Sequence, residues 1–554
     1  VTGLEVVVVV LTAVLALTWA ARRLRVSEPV LLLVGGGLIG LAPAFDSFRL
    51  TADVVLLIFL PPLLYAESLN ISLQQIRENL RVIVLLSVGL VLTTAVTVAA
   101  TAHGFGLTWP MAFVLGAVLA PTDATAVASV AKGMPRRALT TMKAESLIND
   151  GTALVVFALA VDLAVGRHGF EWADTVGRFA LSYAGGIAIG AAGALLVVLV
   201  RKGLRDTAVE SGLSVLTPFA VYLPAELAGV SGVLAVVVCG LILSRASPLL
   251  MRAGTRIRVL AFWNVTTFLL NASLFVLVGI QLPGVVRDLT SLGLREAAKL
   301  AGVVSVVVIL TRMVFIHTTP YVIRVLDRRP QQRARRIGFR QRMPGAWGGV
   351  RGAVSLAAAL AVPTVTHKGA RLPDHDVIVF VTAVVIVVTL LLQGQTLPAV
   401  IRWSKLPADP AEDEEELLAR REVVSRALDA LPDHAARLGA PDLVADRLAQ
   451  ELHDHAESLT TSNRPLQEAE HSLRKALLVA KRNALVDMRD AHRIDDAVLR
   501  RVQETLDSEE VRLELRATAP LPDAADDGPD DGEGDDPSDR DGGDDEDELG
   551  PDRG

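Results

Sequence analysis

The chain holds a single cysteine, Cys239, inside an apolar run, so no intrachain disulfide can form. No His/Cys cluster has zinc-ligand spacing, and no glycine-rich loop leads into Lys-Ser/Thr to cradle ATP phosphates. A nucleophile paired with a base is also missing, which argues against an enzyme. No cofactor and no nucleic-acid partner are expected. Charge is scarce through most of residues 1–402, where it is confined largely to the connections between apolar runs. It returns in excess at the end: Pro520–Gly554 carries sixteen acidic residues against Arg540 and Arg553, so the net charge of −7 describes that tail and the rest is net positive. A cleavable leader is not indicated either. Arg22, Arg23 and Arg25 follow the first apolar run, whereas a signal peptide carries its positive charge before it.

What remains is hydrophobic, at 51% of residues. Apolar runs of bilayer-spanning length fall near 4–20, 29–44, 51–66, 80–102, 109–131, 138–164, 175–200, 207–224, 230–244, 258–281, 296–323, 347–365 and 376–400. The expectation is an all-α polytopic membrane protein of about 13 transmembrane helices over residues 1–402. Alternate connections are basic, from Arg22/Arg23/Arg25 and Arg77/Arg81 to the stretch Arg324–Arg342. That side faces the cytoplasm, with the N-terminus outside. After Trp403 the pattern becomes polar. Residues 411–430, 441–458, 466–490 and 495–515 read as helices broken near Pro432, Pro441 and Pro465. A small helical cytoplasmic domain is expected over 403–519 and a disordered acidic tail over 520–554.

Two apolar runs are poor simple helices. One holds Pro121, Thr122 and Asp123 near its middle; the other opens with Gly348, Gly349, Arg351 and Gly352. Helix breakers at membrane depth free backbone groups, which protein or a water-filled cavity must then satisfy. Paired interruptions of this kind build midplane ion sites in transporters with inverted repeats. Ionisable side chains at that depth cost on the order of 2.5–3.5 kcal/mol each and are functional suspects by default. Asp123, Glu145, Asp150 and Arg351 stand out. Glu145, Ser146, Asn149 and Thr152 share one polar stripe at helical spacing, with Asp150 beside it. A hard monovalent cation needs several oxygens and little net charge, and Asp150, Asn149, Ser146, Thr122 and Asp123 supply them. Burial raises an aspartate's proton affinity while a bound cation favours the ionised form, so proton and cation compete for one carboxylate.

The stretches FLPPLLYAESLN, APTDATAVASV, ESLINDGTALVVF and GGVRGAVSLAAALAVP resemble those of the bacterial NhaP-type sodium/proton antiporters, relatives of the animal sodium/proton exchangers. The resemblance covers about residues 1–402, and IDDAVLRRVQETLDSEE is similar to the ending of many bacterial members. It implies an inverted-repeat antiporter fold with two broken, crossing helices, and Asp150 as the ion- and proton-binding residue. Thr122 and Asp123 would lie at the crossing, and Ser146 would be a further ligand. It also implies a Glu145–Arg351 structural ion pair, Glu67 as an acidic group near the ion, and a homodimer in the cytoplasmic membrane. The Asn149–Asp150 pair looks like the Asn-Asp form of electroneutral exchangers. Ala124 stands where many relatives carry proline, so unwinding here leans on Pro121. The expected cargo is one Na+ or Li+ for one H+, at a site formed by Asp150, Asp123, Thr122 and Ser146. K+/H+ exchange on the same scaffold is the nearest alternative, and a cation channel or membrane sensor is the alternative from another class.

Overall fold

The computed structural model describes residues 3–517 apart from positions 25, 46–53, 72, 79–82, 132–133, 167–171, 205, 327–337, 368–369, 407–410 and 460–463. The acidic tail 520–554 and the middle of the basic stretch Arg324–Arg342 thus lie outside the described residues. Among the described residues the chain is helical, with one isolated β-bridge between Val365 and Arg371. It divides into two compact units at Ala408/Asp409.

The first unit begins with α1 (Gly3–Leu24), α2 (Glu28–Gly40), α3 (Leu60–Leu69) and α4 (Leu90–Gly104). A broken segment follows, made of α5 (Trp109–Leu119) and α6 (Ala124–Val130). The long helices α7 (Arg136–Val165), α8 (Trp172–Gly203), α9 (Thr207–Leu227), α10 (Gly232–Leu250), α11 (Ala253–Arg287) and α12 (Leu294–Leu326) come next. A second broken segment, α13 (Phe339–Trp347) and α14 (Ala353–Leu360), leads to α15 (His375–Thr389) and α16 (Gln395–Ser404).

Among the described residues, nine helical stretches are long and apolar enough to cross a membrane by length and composition. Among the described residues each of the thirteen apolar runs overlaps a helix, but the count of thirteen crossings is not reached on that measure. Runs 29–44 and 51–66 form shorter apolar helices, 347–365 is broken, and α9 carries Glu210, Glu226 and two internal prolines.

Two local features shape this unit. First, α2 crosses α11 almost backbone to backbone: a Cβ on Gly36, Gly40 or Gly279 would collide with the carbonyls of Val276, Ile280 or Leu33. Among apolar helices in lipid, packing and close approach drive association, and small residues permit both. Second, π-turns interrupt helices at Leu85–Gly89 and Leu390–Gly394. Such turns release carbonyls from the helical ladder and recur at functional sites.

The second unit contains α17 (Ala411–Leu438), α18 (Asp442–Ser458), α19 (Arg464–Asp490) and α20 (Asp496–Ala517). Leu478, Leu506 and Leu513 close a small core between α19 and α20, edged by ion pairs from Lys481 to Glu509 and from Arg482 to Asp507. The break expected near Pro432 does not occur. α17 runs through that exposed proline and ends only at Gly439, in the left-handed conformation (φ 63°). On an exposed helix, water can take the carbonyl that proline leaves unbonded.

Candidate cation-binding site

The two broken segments meet at their breaks. The backbone N–H of Asp123 donates to the carbonyl of Val350 at 2.8 Å. Each break presents one helix C-terminus, at Leu119 and Trp347, and one helix N-terminus, at Ala124 and Ala353. Helix ends carry partial charges of about half a unit, negative at C-termini and positive at N-termini. Asp123 addresses the positive ends. Its Oδ1 caps α6 by accepting from the N–H groups of Thr125 (2.9 Å) and Ala126 (3.0 Å), and from the Thr125 hydroxyl (2.6 Å). Its Oδ2 lies against Gly352, the N-cap of α14, leaving no room there for a side chain. Arg351 addresses a negative end: its Nε donates to the carbonyl of Leu119, the last residue of α5, at 3.0 Å. The same guanidinium donates to the Gly349 carbonyl, and the Arg351 N–H donates to the Thr389 hydroxyl beside a π-turn.

α7 runs past this crossing and presents the polar stripe to it. The Ser146 hydroxyl donates to the Thr122 carbonyl and accepts from the Ala124 N–H at 3.2 Å. The Asn149 amide, oriented to satisfy its surroundings, donates to the carbonyls of Ser87 (3.1 Å) and Glu145 (3.3 Å) and accepts from the Thr122 hydroxyl (3.3 Å). The Ser87 carbonyl belongs to the first π-turn. Thr122, Asp123, Ser146 and Asn149 are therefore engaged in holding the break open, and that work uses much of their hydrogen-bonding capacity.

Asp150 differs. The residue is 7% exposed, and its carboxylate makes no hydrogen bond among the described residues. It faces a cavity of about 40 Å³, shared with Glu67, Thr122, Asp123, Thr125, Ser146, Asn271 and Ser355 and walled by Leu60, Leu64 and Phe275. That space accommodates a few water-sized groups, since one water needs on the order of 10–15 Å³. Five of the six residues expected to bind the ion thus line one cavity. The sixth, Asn149, stands behind it and holds Thr122.

The expected Glu145–Arg351 pair is not what the structure shows. Glu145 pairs with Arg312 of α12 at 2.6 Å, with the two side chains 3% and 2% exposed. Arg312 also donates from Nε to the Gly345 carbonyl at 3.2 Å, tying α7, α12 and α13 together. Arg351 is spent on carbonyls at the break instead. Sequence reasoning missed Arg312, although an arginine within the run 296–323 meets the same criterion that flagged Arg351. It also missed Asn271, Thr125 and Ser355, which as uncharged groups in apolar runs give a weaker signal.

Against this geometry stand the comparisons with known proteins. The family profile described as "Sodium/hydrogen exchanger, transmembrane" matches residues 10–403. A Mycobacterium tuberculosis protein named as an uncharacterized Na+/H+ exchanger is 46% identical over 521 residues, which cover 92% of this chain and 96% of that one. The Na+/H+ antiporter ApNhaP of Aphanothece halophytica is 32% identical over 400 residues, 71% of this chain and 73% of that one. Among solved structures, the sodium proton antiporter MjNhaP1 of Methanocaldococcus jannaschii superposes with a TM-score of 0.57. That match covers 72% of this chain and 97% of the other at 16% identity, and it speaks to the fold alone.

Proposed function

The chain belongs to the sodium/hydrogen exchanger family, and on that footing we propose that it exchanges Na+ or Li+ for H+, one for one, at Asp150. The single observation that carries the assignment is the Asp150 carboxylate: buried, facing a cavity, and without a hydrogen-bond partner among the described residues. An ionised carboxylate at such depth is costly by several kcal/mol, and either a proton or a bound cation removes the cost. The two ions compete for the same oxygens, so each drives the other off.

In this reading the cycle is one of alternating access. The crossed breaks, joined through Asp123 and Val350, move as one body against the surrounding helices. The site crosses when Asp150 holds a proton or a cation and stays when it is bare and ionised. Asp123 and Arg351 act as fixed compensation for the helix ends. The membrane is the bacterial cytoplasmic membrane, with the N-terminus outside, the second unit in the cytoplasm and two copies forming a homodimer. No cofactor or chemical step enters the cycle.

The test is proton movement in proteoliposomes with an imposed pH gradient, to which sodium, lithium, potassium or choline is added in turn. Dissipation by sodium and lithium that is lost in Asp150→Asn and insensitive to clamped voltage is the expected result. Dissipation by potassium in preference moves the substrate. A passive conductance, or no response from folded protein, overturns exchange.

A further inference from the structure

The cavity has two kinds of polar lining. Thr122, Asp123, Thr125 and Ser146 are hydrogen-bonded within the breaks and α7. Asp150, Glu67, Ser355 and Asn271 make no side-chain hydrogen bond among the described residues. Asn271 is the one uncharged carboxamide in the second set and comes from α11, a helix outside the broken pair. Its neighbours on the same wall are Leu274 and Phe275. A half-buried amide without a hydrogen-bond partner in an apolar wall is unfavourable unless something polar occupies the space beside it.

From this we propose that Asn271 is a cation ligand that sets which monovalent ion the site accepts, an inference that rests on the exchange reading above. A carboxamide oxygen suits the role. It is a hard donor that replaces one water of the ion's shell, and it adds no charge to a cavity that already holds Asp150, Asp123 and Glu67. Asn271 is also held in a fixed frame. It lies five residues before Val276, where α11 meets Gly36 of α2 backbone to backbone. The oxygens of Asp150 and Ser355 come instead from α7 and α14, beside and within the breaks. In the conformation described here an ion between these walls takes oxygens from both, and their separation discriminates among Li+, Na+ and K+.

The experiment uses the full chain in proteoliposomes, with transport rates measured against Li+, Na+ and K+ concentration. The variants are Asn271→Leu, which keeps the branched shape and removes the oxygen, and Asn271→Ser, which keeps a shorter oxygen. Asn271→Leu is expected to raise the KM for Na+ at least about tenfold, equivalent to about 1.4 kcal/mol of binding. It should also change the Li+/Na+/K+ ranking and leave the maximal rate within about twofold of wild type, because uniform binding is lost and not the transport step. Asn271→Ser should recover part of the affinity with a shifted ranking. Unchanged KM and ranking in Asn271→Leu overturns the inference, as does a fall in maximal rate with KM unchanged, which marks a structural role. If Asn271→Leu does not fold, Asn271→Ser decides alone, and wild-type selectivity there counts against the proposal. Wild-type exchange abolished by Asp150→Asn leaves the exchange reading standing whatever Asn271 does. Absence of cation-driven proton movement in wild type removes both.

Discussion

Glu145 and Arg312 form a fully buried ion pair at 2.6 Å, and Arg312 reaches on to the Gly345 carbonyl near the C-terminus of α13. The pair therefore fixes α7, which carries Asp150, to the helix pair that crosses beside it. Removing one partner strands the other charge in the protein interior. Arg312→Met or Glu145→Gln is expected to lower stability by about 3–5 kcal/mol, and the double substitution by less than the sum. Thermal unfolding in detergent reads this directly. Glu145 and Arg351 should show weaker coupling in the same cycle, because Arg351 is bonded to the Leu119 and Gly349 carbonyls. Equal coupling to both arginines would contradict the assignment.

Asn149 donates to the carbonyls of Ser87 and Glu145. An aspartate there has no hydrogen to give and faces two acceptors, so Asn149→Asp should hold its new carboxyl protonated. The expected outcome is a less stable antiporter, slowed but still electroneutral. Solid-supported membrane recording checks it. A voltage-dependent current on sodium addition would show that the extra charge is carried after all.

Gly352 tolerates no side chain because Asp123 Oδ2 occupies the space. Gly352→Ala should displace the Asp123 carboxylate, uncap α6 and cost about 0.5–2 kcal/mol from the lost cap alone. Sodium-driven proton movement should be lost with it. Gly302→Ala, on α12 with open space at its Cβ, serves as the control and should behave as wild type.

Competition at one carboxylate fixes a pH dependence. The protonated form of Asp150 cannot bind the cation, so falling pH must raise the KM for Na+. Below the site's own midpoint the rise is about tenfold per pH unit, with the maximal rate little changed. At high pH the rate should fall for the opposite reason, because the proton-loaded return becomes scarce. Transport measured against sodium at several symmetric pH values tests both limbs. A KM independent of pH would mean that the two ions use separate sites.

Much of this was legible in the sequence. Pro121 and the Gly348–Gly352 cluster announced both breaks, and the spacing of Glu145, Ser146 and Asn149 announced one polar face of α7. What did not show was which buried charge meets which. Arg312 and Arg351 are both arginines in apolar surroundings, and only the packing of α12 against α13 decides that Glu145 meets the first. The division of labour among oxygens was hidden too. Composition offered Thr122, Asp123 and Ser146 as ligands, but the orphan N–H and C=O groups of an opened helix claim those side chains first. Asn271 stayed out of view because a lone amide among leucines gives no periodic signal.

The glycine seam between α2 and α11 also keeps time. Where Gly36, Gly40 and Gly279 lie against opposing carbonyls, neither helix can breathe without parting from the other along its length. Opening there belongs to the slowest, most global fluctuations of the fold, whereas the crossed breaks need only exchange a few bonds. Deuterium should therefore enter the amides around residues 33–40 and 276–280 last, long after it has reached residues 119–124 and 348–353. The difference between those two clocks is the range within which the protein can cycle many times without coming apart.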